Sequence, residues 1–546
     1  MVYDYFELVD KAKRWAEQAH AQGWINADAV RQLSEIDTRT PTALFDELHT
    51  RPLIVAFMGG TGVGKSSLLN RLAGSAIART GVQRPTSLEV TLFHHHRIAI
   101  QHLPENLPLT STRIAQHADD LKKNIIWIDM PDFDSVEQAN KQLVLTWLPH
   151  IDILIYVVSP ERYRDDKEWR LLLSEGGRHA WLFAFNQWDK GVPEQFQDFQ
   201  RQLYKAGFVD PIIYKTACIV TNESDEFSLL EDTLGTLANA HTIQYLEQRN
   251  LGVKKNELKQ KLLICERLLG NAHSYQQILS HWTEQWQKTT MLLQQGFVWP
   301  TQQLAKFYAE HTVDLITNAN IKPHSLWDEW AQTRFNDALD ALIESADQLA
   351  VPVASLRSQL STVHSKAAKI LKDNTELSVR QSLAHPGNSL QRHLMKLARV
   401  CEVLLPLASI CWVGYQVFIG YYTSTMTNTH YLGVDFAVHS SLMITLSWLA
   451  PFFLLKKLKP SLEKSALRGL NKGFSLSMNE IDTLVVSLIK RVAEQQAAQK
   501  KALIEIIQQC CLEQPEPSMV TEQTPLTRML IDTPHAITTL LDKVGE

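Results

Sequence analysis

The stretch that decides the fold is PLIVAFMGGTGVGKSSLLNRLAG, residues 52–74. An apolar run typical of a buried strand comes first, a glycine-rich segment follows, and an apolar pattern with helical spacing comes last. Glycines at such a turn let successive backbone N–H groups converge on a phosphate without a Cβ in the way. The segment fits G-x-x-x-x-G-K-[ST] and therefore predicts a phosphate-binding loop. The predicted contacts are Gly59, Gly60, Thr61, Gly62, Val63, Gly64, Lys65, Ser66 and Ser67.

Two side chains of this loop have a defined chemistry. The Lys65 ammonium can reach the β- and γ-phosphate oxygens of a nucleotide, which makes it a predicted catalytic group. The Ser66 hydroxyl can ligate Mg²⁺ at the amino end of the following helix. The alternative is a glycine-rich turn with an incidental lysine. The strand before the loop and the helix after it favour the phosphate site.

A second motif concerns the base of the nucleotide. The apolar run AWLFAF, residues 180–185, is followed by Asn186, Gln187, Trp188 and Asp189. A carboxylate at Asp189 can accept hydrogen bonds from both N1–H and the exocyclic amine of guanine, a pair of donors that adenine does not offer. Alone, this tetrapeptide would be read as an ordinary strand-to-helix loop, but its place in the strand–helix order favours base recognition. The predicted ligands are GTP or GDP, with Mg²⁺.

Strand-like and helix-like segments alternate between residues 52 and 237. The strand-like runs include RIAIQHL at 97–103, NIIWID at 124–129 and IDILIYVVS at 151–159. This alternation predicts an α/β domain, with a mainly parallel sheet covered by helices on both faces. Beyond about residue 241 the apolar residues recur at helical spacing, which predicts an all-α region.

In motifs and in their order, residues 51–240 resemble the translation-factor-related class of P-loop GTPases, nearest to its Era-like and dynamin-like branches. The resemblance implies that a switch-I threonine in QRPTSLEVT ligates Mg²⁺, and Thr86 is the predicted residue, with Ser87 directly after it. It also implies that Asp129, which opens a D-x-x-G-like element, holds Mg²⁺ through water.

The same resemblance assigns the base-binding residues. The N-K-x-D element of the family is represented by Asn186, Gln187 and Asp189, and the missing lysine weakens stacking over the base. The implied contacts to the guanine O6 come from backbone N–H groups in the element Thr216, Ala217 and Cys218.

Two residues depart from the family pattern. Asp132 stands where the family has a glycine whose N–H contacts the γ-phosphate, and Phe133 stands where Ras-type enzymes have a water-orienting glutamine. An aspartate adds negative charge close to another anion, so we expect weakened γ-phosphate sensing. Because the glutamine is missing, we expect slow intrinsic GTP hydrolysis.

Two uncharged runs, residues 403–422 and 436–455, are each about twenty residues long, enough to cross a hydrocarbon layer of about 30 Å. Basic residues precede the pair between 392 and 399 and follow it between 456 and 459. The positive-inside rule then predicts a multi-pass membrane protein with two spans and with its N- and C-terminal regions in the cytoplasm. The alternative is a pair of buried core helices in a soluble bundle.

The predicted organisation has six parts. They are N-terminal helices at 1–50, a GTPase domain at 51–240, a helical domain at 241–400, a transmembrane hairpin at 401–457, a helical return at 458–512 and a flexible tail at 513–546.

The composition of the chain limits the classes of partner that we expect it to bind. The chain of 546 residues has a net charge of −5, which provides no basic surface of the kind that nucleic-acid binders have, so no nucleic-acid partner is expected. Its six cysteines show neither metal-site nor disulfide-framework spacing, which fits a reducing compartment.

The order of the parts is similar to that of dynamin-like membrane GTPases, in which a helical stalk carries a membrane-inserting tip. The resemblance implies a GTPase whose nucleotide state changes helical-domain packing or self-association at a bilayer, with a homodimer through the GTPase domain. The alternative is a nucleotide-dependent membrane scaffold that recruits a protein partner with negligible turnover.

Overall fold

The structure is a computed structural model that describes residues 5–45, 51–79, 89–100, 104, 112–132, 138–164, 177–218, 225–311, 325–427, 433–511 and 525–530. The chain divides into two compact units. The first unit contains Met1–Gln18, Ala27–Cys265 and Ala502–Glu546, and the second contains Ala19–Asn26 and Glu266–Lys501. All the predicted nucleotide motifs belong to the first unit.

A sheet forms the centre of the first unit. Within the described residues its strands are β1 Leu53–Met58, β2 Val90–His95, β3 Thr112–His117, β4 Ile125–Asp129, β5 Ile153–Val158, β6 Ala180–Phe185 and β7 Ile213–Lys215. Their order is β3-β2-β4-β1-β5-β6-β7. Only the pairing of β2 with β4 is antiparallel among these described strands. The predicted mainly parallel sheet is therefore confirmed.

Helices follow or flank most of these strands. The helices up to residue 268 are α1 Tyr5–Ala21, α2 Ala27–Ser34, α3 Lys65–Ala73, α4 Gln138–Trp147, α5 Pro193–Lys205, α6 Phe227–Leu237 and α7 Ala240–Leu268. Alternate residues of β1 enter two different cores, with Ile54 and Ala56 in one and Val55 and Phe57 in the other. Because both faces of the sheet are covered, the strand reads as one continuous apolar run.

The sequence misplaced one strand. Residues 97–100 of the run RIAIQHL form no strand, although Ile98 and Ile100 pack against the core, which explains the apolar pattern. The strand lies instead at β3, which forms an edge of the sheet. None of its residues is buried, so the segment TRIAQH lacks the apolar run that marks a central strand.

Part of the predicted flexible tail is packed. Residues 525–530 contain a short helix, α15 Pro525–Arg528. The Trp181 N–H donates to the Met529 carbonyl at 2.7 Å, and the Arg528 Nε donates to the Asp210 carbonyl at 3.1 Å. Buried apolar side chains in this segment are Leu526, Met529 and Leu530. Their i, i+3, i+4 spacing explains the packing. The flexible tail stays a prediction for the remaining residues of 513–546.

The second unit is helical throughout its described part. The helices from residue 272 to 511 are α8 Ala272–Gly296, α9 Val298–Glu310, α10 Glu329–Gln348, α11 Val353–Ala384, α12 Ser389–Thr427, α13 Val434–Leu458 and α14 Leu462–Cys511. Two glycines let α14 approach α11 closely. A Cβ on Gly473 would lie 2.6 Å from the Thr375 Cα, and one on Gly469 would lie 2.8 Å from the Val379 Cα.

Helices α12 and α13 carry the two uncharged runs and contact each other. Their most apolar windows have mean hydropathies of 1.7 and 1.6, and 0% and 6% of those windows is buried within the chain. Phe418 and Phe453, for example, are 69% and 57% exposed. Both helices are therefore long and apolar enough to cross a membrane, and they do not form the buried core that the soluble alternative requires.

Candidate nucleotide-binding site

Three of the four glycines in the loop after β1 have a backbone conformation that only glycine adopts readily. Gly59, Gly62 and Gly64 have φ values of 155°, 82° and 94°. A Cβ on Gly59 would lie 2.2 Å from the Val157 carbonyl oxygen, and one on Gly64 would lie 2.3 Å from the Asn186 Nδ2. Gly64 is also the N-cap of α3, so the free N–H groups of the first helical turn adjoin the loop.

The remaining loop residues keep this turn in place. Val63 is fully buried and packs in the core on one face of the sheet. Gly60 and Thr61 are buried, whereas Ser67 is half-buried in the first turn of α3. These residues give the loop a fixed position relative to β1.

Lys65 is buried and points back over the loop. Its Nζ donates to the carbonyl oxygens of Gly59 at 2.7 Å and Gly60 at 2.9 Å. A third partner is the Asp132 Oδ1, at 2.6 Å. The structure thus places the predicted phosphate-binding cation at the loop and adds a carboxylate partner that the sequence did not predict.

Ser66 and Asp129 lie in contact, as expected for residues that share one ion. The Ser66 Oγ donates to the Asp129 Oδ2 at 2.5 Å. Burial raises the pKa of Asp129 to about 6, and the nearby Asp132 charge adds to this effect, while Lys65 and the Ser66 hydrogen bond oppose it.

A divalent cation fits this pair. The Asp129 Oδ1 is buried and has no hydrogen-bond partner among the described residues. Two buried carboxylates, those of Asp129 and Asp132, lie near the buried ammonium of Lys65. Hydroxyl and carboxylate oxygens are the ligands that Mg²⁺ prefers, and its charge would offset the local excess of negative charge.

Asn186 joins the loop of the phosphate motif to the element around Thr216. Its side chain is fully buried, and its Nδ2 donates to the Val63 carbonyl at 2.8 Å. Its Oδ1 accepts from the Thr216 Oγ1 at 3.1 Å. The Asn186 amide therefore has a structural role, holding two predicted nucleotide-binding segments together.

The residues after Asn186 turn outward. Gln187 has a left-handed φ of 56°, and its Nε2 donates to the Gly62 carbonyl at 2.9 Å. Trp188 packs against Phe185, with ring centroids 5.6 Å apart. Asp189 is exposed, and its carboxylate accepts no hydrogen bond from another described residue. This carboxylate is therefore available to a ligand at the edge of the site.

The third predicted element also reaches the site. Thr216 and Ala217 are buried, and Cys218 lies within 3.3 Å of the Asn186 Nδ2. Arg71 of α3 donates to the Ala217 carbonyl at 2.9 Å and forms an ion pair with Asp225. Arg71 could not be predicted from the sequence, because only the fold brings α3 beside this loop.

Three positions named from the sequence lie outside the part of the chain that the structure describes. They are Thr86, the predicted switch-I ligand of Mg²⁺, Ser87 directly after it, and Phe133 in the D-x-x-G-like element.

The comparison with known families agrees with this geometry. Residues 54–187 match the model of a family described as 50S ribosome-binding GTPase. The match begins in β1, includes the phosphate loop and Asp129, and ends after Asn186. Residues 54–187 are a P-loop GTPase domain. It is followed by the helical region described above, and this family of domains is one that hydrolyses GTP.

Solved structures similar to the chain include an Era protein and a bacterial dynamin. The Era protein of Aquifex aeolicus bound to GDP and aluminium fluoride is 16% identical, with 34% of this chain and 56% of that chain covered and a TM-score of 0.26. One chain of an oligomerised bacterial dynamin pair, described for the sensing and tethering of membranes, is 12% identical over 85% of this chain and 89% of that chain, with a TM-score of 0.39.

The chain spans little more than half the length of that Era protein. No curated protein is significantly similar to the chain in sequence. The assignment of the GTPase domain therefore depends on the family match and on the geometry of the loop.

Proposed function

We propose that the chain is a membrane-associated GTPase that binds GTP and GDP with Mg²⁺ and hydrolyses GTP slowly. The observation that carries this proposal is the meeting of three groups in the GTPase domain. Lys65 lies at the phosphate loop, Ser66 contacts Asp129, and Asn186 ties that loop to the segment around Thr216. Phosphate, cation and base sites are then parts of one connected structure.

Each group has a role in this proposal. Lys65 binds the β- and γ-phosphates, and Ser66, Thr86 and Asp129 hold Mg²⁺, which would neutralise charge on the phosphates. Asp189 accepts hydrogen bonds from guanine, and the backbone around Ala217 donates to its O6. Hydrolysis is slow because Phe133 replaces the glutamine that orients water in Ras-type enzymes.

We expect Lys65→Ala to abolish this activity. The measurement is multiple-turnover phosphate release by the full chain in lipid vesicles, with GTP and with ATP. The wild type should release phosphate from GTP and not from ATP, and Lys65→Ala should lower the rate by about 100-fold or more, since it removes the cation that stabilises transition-state charge.

The matched control is Lys205→Ala, which removes an exposed lysine from α5 of the same domain. It should keep the wild-type rate. Equal use of GTP and ATP by the wild type, or full activity of Lys65→Ala, would contradict the proposed function.

The membrane part of the proposal depends on α12 and α13. Their apolar windows are exposed along almost their whole length, and a surface of that size on a soluble chain is rare unless something covers it. We propose that the two helices cross the bilayer, with both terminal regions in the cytoplasm. The helical regions on either side would then couple nucleotide state to packing or self-association, with a homodimer formed through the GTPase domain.

Alkaline extraction tests the membrane anchor. Membranes from cells that express the full chain should retain it in the pellet at high pH, because burial of two apolar helices in the hydrocarbon layer does not depend on charge. Release into the supernatant, together with a marker for peripheral proteins, would show that the chain only associates with the surface.

A second candidate function is a scaffold that binds nucleotide and recruits a protein partner to the membrane with negligible turnover. The pair between Asp132 and Lys65 favours it, because a carboxylate beside the catalytic lysine opposes the negative charge of the γ-phosphate. Binding of guanine nucleotide combined with phosphate release no faster than that of Lys65→Ala would support this candidate.

A further inference from the structure

Asp132 and Lys65 form a buried ion pair next to the phosphate loop. The Lys65 Nζ and the Asp132 Oδ1 are 2.6 Å apart, and the two side chains are only 3% and 6% exposed. The same Nζ donates to the carbonyls of Gly59 and Gly60. All three N–H groups of the ammonium therefore have an acceptor, and one of these acceptors is an anion.

A nucleotide changes the number of acceptors around this ammonium. A diphosphate brings β-phosphate oxygens, which need only one of the three N–H groups and can replace a backbone carbonyl. A triphosphate brings a second anionic acceptor, the γ-phosphate. The γ-phosphate and the Asp132 carboxylate are then two anions beside one buried ammonium. Because like charges repel strongly where water is excluded, the γ-phosphate competes with Asp132 for the place next to Lys65.

We propose that Asp132 is a positioning residue that competes with the γ-phosphate for Lys65 and so makes the GTPase domain discriminate against nucleoside triphosphates in favour of diphosphates. Binding of the γ-phosphate breaks the Asp132–Lys65 pair, and repulsion between the two anions moves Asp132 away. A glycine at this position would be attracted to the γ-phosphate through its N–H. The aspartate is instead repelled, so its interaction with the γ-phosphate changes from favourable to unfavourable. This inference rests on the proposed binding of guanine nucleotides.

The test compares affinities for GDP and for a non-hydrolysable GTP analogue, both with Mg²⁺, on the full chain in detergent. The variants are Asp132→Asn, which keeps the shape but removes the charge, and Asp132→Gly, which has the residue of the family pattern. Both should bind the GTP analogue about tenfold or more tightly than the wild type does, since a charged competitor is removed. Their affinity for GDP should change by less than about threefold.

Glu161→Gln is the matched control, because it removes one negative charge from an exposed residue of the same domain. Its ratio of GTP-analogue to GDP affinity should equal that of the wild type. An equal change for both nucleotides, no change, or loss of GDP binding in both Asp132 variants would overturn the inference and leave the proposed function intact. Failure of the wild type to prefer guanine over adenine nucleotides would instead remove the proposed function, and the inference with it.

Discussion

Asp189→Asn is expected to move the nucleotide preference of the GTPase domain from guanine to xanthine. A carboxylate accepts from both N1–H and the amine of guanine, whereas an asparagine amide has one acceptor and one donor. Xanthine has an oxygen where guanine has its amine, so the amide can donate to that oxygen and still accept from the ring N–H.

The loss of GDP affinity should be large, and it should come only from the lost recognition of the base. Asp189 is exposed, whereas the neighbouring Asn186 is fully buried and holds the Val63 and Thr216 segments through its own amide. The substitution therefore removes a ligand contact without breaking the scaffold of the site. Sites built to hydrogen-bond a ligand reject mismatched analogues by factors of up to about 10⁴–10⁵, and for this exposed carboxylate we expect a GDP affinity lower by about 10² or more.

Competition binding on the full chain measures this switch, with GDP, XDP and ADP as competitors for a fluorescent nucleotide. Glu194→Gln makes the same change from carboxylate to amide at another exposed residue of the domain. This variant should still bind GDP more tightly than XDP. Unaltered GDP affinity in Asp189→Asn, or equal loss of GDP and XDP, would show that Asp189 does not read the base.

The parts of the site that could be predicted from the sequence are those fixed by local chemistry. Gly59 and Gly64 are required by backbone conformation and close approach, and Lys65 and Ser66 follow them at fixed spacing in the chain. Such a motif is a single continuous turn, so its geometry follows from the order of its residues. The apolar run of β1 likewise reports burial on both faces of the sheet.

Contacts between distant segments could not be predicted in the same way. The sequence indicated that Asp132 would place a negative charge near the γ-phosphate, but it could not show the contact with Lys65, which lies 67 residues earlier. The anchoring of the Ala217 segment by Arg71 spans 146 residues. Side-chain pairs of this kind depend on which strands are neighbours, and a single sequence does not contain that information.

Weak patterns explain the other misses. Strand β3 is an edge strand with few buried side chains, so it has no apolar run to mark it. The packed segment 525–530 has only three buried apolar residues, and they stand in a stretch otherwise rich in Pro, Glu and Thr. The composition of the whole tail is typical of a flexible segment, whereas residues 526–530 alone have the helical spacing of apolar residues.

Arg51→Met is expected to destabilise the GTPase domain at the amino-terminal ends of strands β1 and β5, away from the phosphate loop that follows β1. Arg51 precedes β1 and Asp152 precedes β5, and the two form a bidentate pair at 2.6 and 2.7 Å. Both side chains are buried, at 4% and 3% exposure. The Arg51 Nε also donates to Glu247 of α7 at 2.7 Å.

The electrostatics of this pair indicate why its loss matters. Burial would lower the pKa of Arg51, but the carboxylates of Asp152 and Glu247 raise it above its usual value. Without the guanidinium, the Asp152 carboxylate remains buried and unpaired while its Oδ2 accepts only the Ile54 N–H at 2.9 Å. Breaking a buried pair in this way costs about 3–5 kcal/mol, so we expect the free energy of unfolding to fall by that amount.

Urea unfolding of the full chain in detergent measures this change. The transition to follow is the one that GDP shifts to a higher urea concentration, since that transition belongs to the GTPase domain. With a typical dependence of about 2 kcal/mol per molar urea, the midpoint should fall by about 1.5 M or more. Arg164→Met is the matched control. It breaks an exposed pair with Asp198 of the same 2.6 Å length and should leave the midpoint unchanged.

The double variant Arg51→Met, Asp152→Asn separates the loss of the pair from the burial of an unpaired charge. An asparagine at 152 can still accept from the Ile54 N–H, but it carries no charge into the core. The double variant should therefore unfold at a higher urea concentration than Arg51→Met alone, although it has lost more of the native contact. If it unfolds at a lower concentration, the attraction within the pair, and not the unpaired carboxylate, accounts for the lost stability.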